Sequence, residues 1–535
     1  MSIYINLDIK RNILEKKNGN TCFSLVGNIS AFDEKYSELL SARSILDFSE
    51  VINNIKGFFA IIVNSDKRLF AAVDHSRSIA LYYAQIDTDF YLSTSASWIQ
   101  SNITDCSKDK LAEEEFQMLG YVLGNKTLNP CIKQLQAGEC LVLSENRLEI
   151  KNYYEPNHSY PTKFDKDKFF KEVDSAAINS MKRLIDYADD KQIVVPLSGG
   201  YDSRLIVSLL KRLNYKNVVC FSYGVKANKE AEYSKKIAEA LSYKWIFIEY
   251  TDSSWSKSWF SSEAEDFRKY ASNLSSLPHL QDWLALTELK NNNLVDSNAI
   301  FVPGHCCVTG FLPDGKLLNK DKYKKTHLLN IYMDYTVDTH FTGRPFSKNN
   351  ILTLKKTKNI LSFDNKIESI DDVLSEIMKY NWKERQAKYI TNSVRSYEFL
   401  DYDWWLPLWD QEFMRVWEAV PLEYRIGRLI YKEYVNKQFH DSSIVKIEIN
   451  DNASDRTLFR HFLSIFIPKM TPKNVMERVN RVRFKKLYSN HILRFGSLIS
   501  EKDLSYYVKN DYNIIGMYSD LFLKEKWGKI KNIDR

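Results

Sequence analysis

IVVPLSGGYDSR, residues 193–204, places a glycine-rich turn between a short apolar run and the segment RLIVSLLKRL (204–213). The apolar run is typical of a buried strand, and the apolar spacing after the turn predicts an amphipathic helix. Such a turn directs successive backbone N–H groups to one point, where the helix dipole adds positive potential. The stretch therefore predicts a phosphate-binding loop, with an ordinary strand-to-helix turn as the alternative.

The residue types in the turn refine this prediction. Gly199 and Gly200 allow the backbone to approach a phosphate closely, and Ser198 and Ser203 supply hydroxyl donors. The turn is not a Walker A loop, because no GxxxxGK[ST] pattern is present and no lysine follows to hold the β and γ phosphates. The sequence therefore argues against transfer of a γ-phosphoryl group.

Strands and helices alternate around the turn. A helix is predicted over 165–188, a strand over NVVCFSY (217–223), a helix over 230–241 and a strand over KWIFIEY (244–250). This order is typical of a parallel, doubly wound sheet. The first 150 residues instead contain short runs rich in β-branched and aromatic residues, which predict a sheet-rich domain, and the chain after Thr326 is mainly helical in pattern.

Composition limits the class of protein. The formal net charge of +7 is a mild excess that implies no polyanionic partner, although the basic stretch between Asp455 and Lys486 is either a solvated face or an anion- or membrane-surface site. The seven cysteines are odd in number and scattered, so we expect neither a disulfide framework nor a zinc site, and a reducing cytoplasm fits. No apolar run is long enough for a transmembrane segment, and the start lacks a signal peptide's apolar core.

LSGGYDSR (197–204) resembles the SGGxDS pyrophosphate loop of asparagine synthetase, β-lactam synthetase and their relatives. In that family ATP is cleaved between its α and β phosphates to adenylate a carboxylate. The resemblance implies that ATP binds at Ser198, Gly199, Gly200, Asp202 and Ser203, and that Asp202 is a Mg²⁺ ligand.

Other segments extend the resemblance. VVCFSYGV (218–225) looks like the family's second strand, whose end contacts adenine, and SLPHL (276–280) is similar to the segment before a later helix. WWLPLWDQEFMRVWEAVP (404–421) is similar to the family's RVPFLDKEF segment, with Trp405 in place of its arginine. The resemblance implies that base and ribose lie at Leu197, Ser222, Tyr223 and Gly224.

The family's second signature, SGEGSDE, is expected at FVPGHCCVTG (301–310). By that resemblance Pro303 and Gly304 join the ATP site, whereas His305 replaces the glutamate associated with ammonia attack and Val308 replaces an aspartate that binds a second magnesium. Asp314 could substitute only if the loop folds back. Mg²⁺ usually needs one or two protein carboxylates, so Asp202 could suffice.

Candidate catalytic groups follow from this departure. An imidazole with a pKa near 6.5 at His305 could deprotonate an incoming amine as a general base, or it could simply donate to ribose or backbone. Cys306 and Cys307 are interpreted as small thiols that fill a tight loop rather than as a redox or metal pair. The family has a lysine that stabilises the adenylate, for which the candidates are Lys473, Lys485 and Lys486, with Lys485 retained as catalytic.

The N-terminal part resembles the family's glutamine amidotransferase domain. LVGNIS (25–30) and VDHSRSIALYY (73–83) are similar to its motifs. That domain uses an N-terminal cysteine, whereas this chain begins Met1, Ser2, Ile3, and a hydroxyl is a poorer nucleophile at neutral pH. We interpret it as a scaffold that has lost glutaminase activity, with a serine-nucleophile hydrolase as the alternative.

These features predict an α/β and α+β chain: an Ntn-hydrolase-like β-sandwich over 1–155, and a Rossmann-like ATP-pyrophosphatase domain (adenine nucleotide alpha hydrolase-like) over 165–535. The expected activity is that of an AMP-forming carbon–nitrogen ligase. It would adenylate a carboxylate (aspartate, another small acid, a peptide or a uronic acid) and pass the acyl group to ammonia or an amine. A non-catalytic nucleotide-binding or assembly protein and an RNA-modifying enzyme remain alternatives. The expected cofactors are ATP and Mg²⁺, and no nucleic-acid partner is expected. The expected location is the cytoplasm, and the chain could form a homodimer.

Overall fold

The computed structural model describes residues 2–11, 13–30, 32–104, 106–107, 109–156, 163–308, 325–341, 343, 367–443, 478, 482, 488, 491–510 and 512–527. Asp314, Lys473, Lys485 and Lys486 lie outside these ranges, as does most of the basic stretch after Asp455. The described chain has a mixed α/β structure with several sheets. None of its helices combines the length and apolarity needed to cross a bilayer.

Two sheets occupy the N-terminal part. Their strands are β1 Ser2–Asn6, β2 Ile13–Asn18, β3 Thr21–Ile29, β4 Gly57–Asn64, β5 Arg68–Val73, β6 Tyr82–Ile86, β7 Asp89–Ser93, β8 Lys133–Gln134, β9 Glu139–Ser144 and β10 Arg147–Asn152. One sheet has the order β1-β7-β6-β8 and the other the order β10-β9-β5-β4-β3-β2. All pairs are antiparallel except β1 with β7.

Strand β4 is buried on both faces, and this burial explains why its sequence is a continuous apolar run. Phe58, Ala60 and Ile62 belong to the main core, while Phe59, Ile61 and Val63 belong to a second core. Successive side chains of a strand point to opposite faces, so a sheet buried on both faces needs apolar residues at every position. The second core lies against two of the helices of this part, which are α1 Phe32–Ser41, α2 Ile45–Asn53, α3 Ala96–Asn102 and α4 Lys110–Leu119.

A five-stranded parallel sheet follows. Its strands are β11 Ile193–Pro196, β12 Val218–Gly224, β13 Lys244–Glu249, β14 Ile300–Phe301 and β15 Asp403–Trp404, in the order β13-β12-β11-β14-β15. Strand β11 is central: Val194 pairs with Val219 on one side and Phe301 on the other. Its first three residues, Ile193, Val194 and Val195, are fully buried.

Helices cover this sheet and complete the C-terminal part. They are α5 Lys166–Ala188, α6 Tyr201–Arg212, α7 Lys229–Ala240, α8 Asp252–Trp259, α9 Ser262–Ser272, α10 Trp283–Asn291, α11 Lys325–His340, α12 Ile370–Tyr380, α13 Arg395–Phe399, α14 Gln411–Glu418, α15 Leu422–Arg425, α16 Leu429–Ser442, α17 Glu501–Lys509 and α18 Ile514–Leu523. A π-helical segment spans Asn381–Ile390, and 3₁₀ segments span Thr391–Val394, Pro407–Trp409, Ile426–Arg428 and Phe495–Leu498. The helices predicted over 165–188 and 230–241 are thus confirmed within one or two residues.

The positions of the two loops follow from strand direction. Strands β11, β12 and β14 run parallel, so their carboxyl ends meet at one edge of the sheet. The glycine turn after β11 and the segment 302–308 after β14 therefore lie side by side. This edge is where open parallel sheets bind ligands.

The N-terminal motif 73–83 serves as a contact with the C-terminal part. The ring nitrogen Nε2 of His75 lies 2.5 Å from the carbonyl of Trp409, and the Trp382 indole donates to the His75 carbonyl at 2.8 Å. Asp74 accepts from the backbone N–H groups of Ser76 and Ser78 at 2.8 and 3.1 Å, which fixes the turn. The segment thus joins the two parts.

One expectation about cysteine is wrong. Cys106 and Cys131 form a disulfide, although the sequence suggested no disulfide framework. The two residues are separated by 25 positions, and the fold brings their Cα atoms to 6.3 Å. The spacing of cysteines in the sequence does not predict this pairing, because the segments that carry the two residues come together only on folding.

Asp410, retained from the family segment, has a structural role. Its carboxylate accepts from Nε and Nη2 of Arg183, both at 2.7 Å, and from the backbone N–H of Glu412 at 2.9 Å. Asp410 is therefore both the N-cap of α14 and one half of a buried ion pair with α5. The pair fixes the segment 404–410 against the sheet.

We expect Asp410→Ala to lower the free energy of unfolding by about 3 kcal/mol, because it leaves a half-buried guanidinium without its main partner and uncaps a helix. Glu412→Ala, which removes a more exposed partner of Arg183 at 3.0 Å, is the control and should cost about 1 kcal/mol. Urea unfolding measures both. Equal losses in the two variants would contradict this assignment.

Candidate nucleotide site

The glycine turn lies directly before the N-terminus of α6. Gly200 is the N-cap residue, and within the described chain no side chain caps this helix. By contrast, α5, α7 and α14 are capped by Asp165, Asn228 and Asp410. The first N–H groups of a helix have no intrahelical partners, so an uncapped N-terminus offers donors and positive potential to an anion.

The serine hydroxyls of the loop have internal partners. Ser203 Oγ accepts from the backbone N–H of Ser198 at 3.2 Å, and Ser198 Oγ accepts from the backbone N–H of Gly200 at 3.1 Å. Ser203 is buried, whereas Gly200 is exposed. The hydroxyls, which were predicted as donors to phosphate, here hold the loop in shape.

The segment after β14 approaches this loop closely at Gly304. A β-carbon on Gly304 would lie 2.9 Å from the backbone nitrogen of Ser203, which is closer than real β-carbon contacts. A side chain therefore does not fit here without moving backbone. Gly304, with its neighbours Pro303 and His305, therefore lies beside the glycine turn, and the assignment of these residues to an ATP site stays a prediction.

We expect Gly304→Ala to weaken ATP binding about tenfold or more, since the added methyl group pushes the first turn of α6 away from the loop. Calorimetric titration with ATP measures this. Gly19→Ala is a suitable control, because the space around Gly19 is open and its left-handed backbone (φ +57°) adds only a local cost. An unchanged ATP affinity in Gly304→Ala would contradict the placement.

The end of β12 is covered by a segment from the C-terminal region. Gly224 has φ +128°, and the N–H of Val225 donates to the carbonyl of Ile492 at 2.7 Å. The Trp255 indole donates to the carbonyl of Leu493 at 2.7 Å, which anchors that segment. The position predicted for the base therefore has a wall from 491–494, which the sequence did not indicate.

The other residues predicted near the base have buried partners. The Ser222 hydroxyl lies 2.7 Å from the Leu197 carbonyl and 2.6 Å from the Ser234 hydroxyl. Tyr223 donates its hydroxyl to Asp282 and stacks on Tyr250 with ring centroids 5.1 Å apart. Burial and the nearby Asp282 raise the pKa of Tyr223 well above its ordinary value, so the phenol stays protonated.

Asp202 is held by two residues of the segment around the start of α16. Both terminal nitrogens of Arg428 donate to its carboxylate, and Tyr431 donates its hydroxyl to Oδ1 at 2.7 Å. Arg428 itself adopts the left-handed conformation with φ 58°. Burial alone would lower the pKa of Arg428, but the charge of Asp202 raises it above the ordinary value.

This arrangement does not fit the predicted Mg²⁺ site. Both oxygens of Asp202 accept hydrogen bonds from cationic or neutral donors, so a metal would have to displace Arg428. Among the residues that the structure describes, no group of three His, Cys, Asp or Glu side chains could hold a metal ion. Magnesium prefers free carboxylate oxygens, which Asp202 does not offer in this conformation.

His305 lies in a desolvated environment. Its Nε2 is 3.3 Å from the Ser393 hydroxyl, and its Nδ1 has no partner among the described residues. Burial lowers the pKa of His305 to about 4, with a smaller lowering from His279 and an opposing effect from Asp282. The imidazole is therefore neutral at pH 7, but it is a weaker base than the pKa near 6.5 assumed from sequence.

Burial of a neutral histidine makes stability depend on pH. The unfolded chain binds the proton near pH 6.5 and the folded chain only near pH 4, so stability is lost as pH falls between these values. We expect His305→Asn to reduce that loss by up to about 3 kcal/mol. Urea unfolding from pH 7 to pH 4.5 measures the slope. His440→Asn, at an exposed histidine, is the control, and a His305→Asn slope equal to that of the wild type would refute the expectation.

The segment after His305 lies beside a small cavity, which Cys307 and Val308 line. Cys306 and Cys307 are free thiols, and burial raises the pKa of Cys307 well above its ordinary value. The cavity measures about 60 Å³ and lies against Cys307, Val308, Trp409, Trp417 and Glu418. The indole N–H groups of both tryptophans are buried without a partner in the described chain. Trp417 also contacts Tyr431, at 5.4 Å between ring centroids, which connects the cavity to Asp202.

Several functional candidates were missed from the sequence. Arg428 and Tyr431 are three residues apart on one helical turn, but nothing local indicates that they meet Asp202 across 226 or more residues. Arg204 was visible in the quoted stretch as a charged residue next to a run of apolar positions on α6. That position is the one local signal for Arg204, and its burial is seen only in the structure.

One protein-family model matches the part of the chain that contains the glycine turn. Residues 177–257 match the model described as asparagine synthase, and the matched segment includes the glycine turn, α6, β12 and α7. The match covers 81 of the 535 residues and supports an asparagine synthase-like segment there. A search of curated proteins found no match.

Two solved structures were also found by comparison of folds. One is a glutamine phosphoribosylpyrophosphate amidotransferase from B. subtilis complexed with ADP and GMP, at 8% identity and TM-score 0.17, covering 55% of this chain and 64% of that one. The other is described as the allosteric regulatory enzyme of purine biosynthesis, at 9% identity and TM-score 0.18, covering 56% and 57%. The chain thus spans less than two thirds of the length of each of these two proteins.

Proposed function

We propose, from the asparagine synthase-like match over residues 177–257, that this chain is an AMP-forming ligase that joins a small carboxylic acid to ammonia or an amine. The observation that carries the proposal is the uncapped N-terminus of α6 behind the glycine turn, inside the matched segment and against Gly304. We assign residues 165–535 to a Rossmann-like ATP-pyrophosphatase domain and residues 1–155 to an Ntn-hydrolase-like sandwich.

In the first step, an oxygen of the acid attacks the α-phosphorus of ATP and the bond to the β-phosphate oxygen breaks, which releases pyrophosphate. The backbone N–H groups at the start of α6 stabilise the charge that develops on the leaving pyrophosphate. Tyr223 and Gly224 at the end of β12, with the wall at 491–494, receive the base. This step converts an unreactive carboxylate into an acyl-adenylate.

In the second step, the nitrogen of ammonia or an amine attacks the acyl carbon and AMP leaves. Neutral His305 accepts the proton that the nitrogen loses. It is a weak base in the free protein, and the negative charge of the adenylate beside it would raise its proton affinity. Its Ser393 contact at 3.3 Å orients the ring.

We place part of the acid in the cavity beyond Cys307. Two indole N–H groups without partners, from Trp409 and Trp417, suit acceptor oxygens rather than an ammonium group, which has only donors. A volume of about 60 Å³ holds about four to six water-sized atoms, taking ~10–15 Å³ for each. This favours a small acid or a small part of a larger one.

The N-terminal part is proposed to be a scaffold without glutaminase activity. Ser2 is exposed at the start of β1, and its N–H donates to the carbonyl of Thr88 at 3.2 Å. The hydrogen bonds of His75 with Trp409 and Trp382 join this part to the C-terminal part, which is consistent with a scaffold role. Nitrogen would then come from free ammonia or an amine.

The test is ATP–pyrophosphate exchange across a panel of aspartate, short aliphatic and aromatic acids, a uronic acid and a peptide. We expect exchange with at least one acid, and Asp202→Ala should reduce it by about 100-fold or more, because release of Arg428 and Tyr431 alters the charge and shape of the loop. Asp174→Ala is the matched control: it breaks an ion pair with Arg212 between α5 and α6, away from the loop.

The outcomes separate the alternatives. Binding of ATP without exchange on any acid would favour the non-catalytic nucleotide-binding protein, which the occupied Asp202 and the replacement at Val308 support. Full exchange in Asp202→Ala would overturn the role of the loop. RNA modification stays an untested alternative, because most of the basic stretch after Asp455 lies outside the described residues.

A further inference from the structure

Arg204 is a buried arginine directly behind the phosphate-binding loop. It is only 1% exposed. Its Nη2 donates to the carbonyl of Gly199 at 3.0 Å, and its Nη1 donates to Oδ1 of Asn436 on α16 at 3.2 Å. The guanidinium also lies 4.9 Å from the centre of the Tyr201 ring. Every one of these partners is uncharged.

The charge of Arg204 therefore lacks a counter-ion in the described chain. Its contacts are a carbonyl, an amide oxygen and aromatic rings, and its Nε has no partner. Burial lowers the pKa of Arg204 to about 10, so the group stays charged at pH 7. The nearest acid of the loop, Asp202, is already paired with Arg428. A buried charge without a partner destabilises the fold, so we expect another interaction, such as a bound anion, to offset the loss of solvation.

The hydrogen bond from Arg204 to Gly199 also orients the backbone of the turn. The Gly199 carbonyl belongs to the turn whose N–H groups are proposed to face the phosphates. A hydrogen bond to the buried guanidinium holds this carbonyl dipole on the protein side of the turn, where it does not oppose an anion. Asn436 in turn fixes the guanidinium from the neighbouring helix.

We propose that Arg204 is a positioning residue whose counter-ion is the pyrophosphate part of the nucleotide: it orients the Gly199 carbonyl and supplies fixed positive charge behind the loop without touching the ligand. This inference rests on the proposed function for the identity of the ligand. It predicts selectivity within the ligand, because the charge acts on the phosphate end and not on the base.

The test uses inorganic pyrophosphate and adenosine as separate probes in calorimetric titrations of the full chain. Arg204→Gln removes the charge but keeps a donor, and Arg204→Lys keeps the charge. We expect Arg204→Gln to weaken pyrophosphate binding at least tenfold and Arg204→Lys less than threefold, with adenosine affinity unchanged in both. The pyrophosphate affinity of the wild type should also fall more steeply with salt than that of Arg204→Gln.

Arg268→Gln is a matched control for the loss of a buried arginine. Arg268 is 5% exposed, donates to the carbonyl of Trp259 at 2.7 Å and lies 4.9 Å from the centre of that ring, and burial lowers its pKa to about 10 as well. We expect a similar loss of thermal stability and no change in pyrophosphate affinity. A merely structural role of Arg204 would make the two variants alike.

The failures are distinguishable. If the wild type binds no pyrophosphate, the proposed function fails. Two results would overturn the role of Arg204 while the proposed function stands, provided that the wild type binds pyrophosphate. In one, Arg204→Gln binds pyrophosphate as tightly as the wild type. In the other, the substitution weakens adenosine binding as much as pyrophosphate binding. Should Arg204→Gln not fold, Asn436→Ala carries the test: a severalfold loss for pyrophosphate alone supports the proposal, and unchanged affinity overturns it.

Discussion

Parallel pairing on both sides of β11 is the constraint on which the candidate site depends. Because β12 and β14 run in the same direction as β11, the chain leaves all three strands at one edge of the sheet. An antiparallel β14 would send the segment 302–308 to the opposite edge, and Gly304 would never reach the start of α6. The close approach at Gly304 then demands a residue without a side chain, so topology and residue type support each other.

The electrostatics of this edge depend on two arginines with different partners. Arg428 is neutralised by Asp202, which also accepts a hydrogen bond from Tyr431, so its charge belongs to the packing of α16 on α6. Arg204 has no such acid, and its charge adds to the dipole of α6 at the same place. In the proposed function, the loop therefore attracts anions through backbone N–H groups and a buried guanidinium, while its single carboxylate is paired with Arg428.

The local parts of this site could be predicted from sequence, and the long-range parts could not. The strand at 193–196, the turn and α6 follow from apolar spacing and two glycines, which act over a few residues. The partners of Asp202, the wall at Ile492 and the pairing of Cys106 with Cys131 depend on how distant segments pack, and no local pattern encodes that. The low pKa of His305 has the same origin, since residue type gives the ordinary value and only burial changes it.

The hydrogen bond from Val225 to Ile492 has a consequence for the order of synthesis. A nascent chain that has left the ribosome as far as residue 308 already holds β11 to β14, the glycine turn and Gly304, which in the proposed function receive the nucleotide's tail. The edge beside Gly224 is still open to water at that stage, and it closes only when the segment 491–494 arrives. In the proposed function, tight binding of the whole nucleotide therefore requires that the late segment 491–494 has docked beside Gly224.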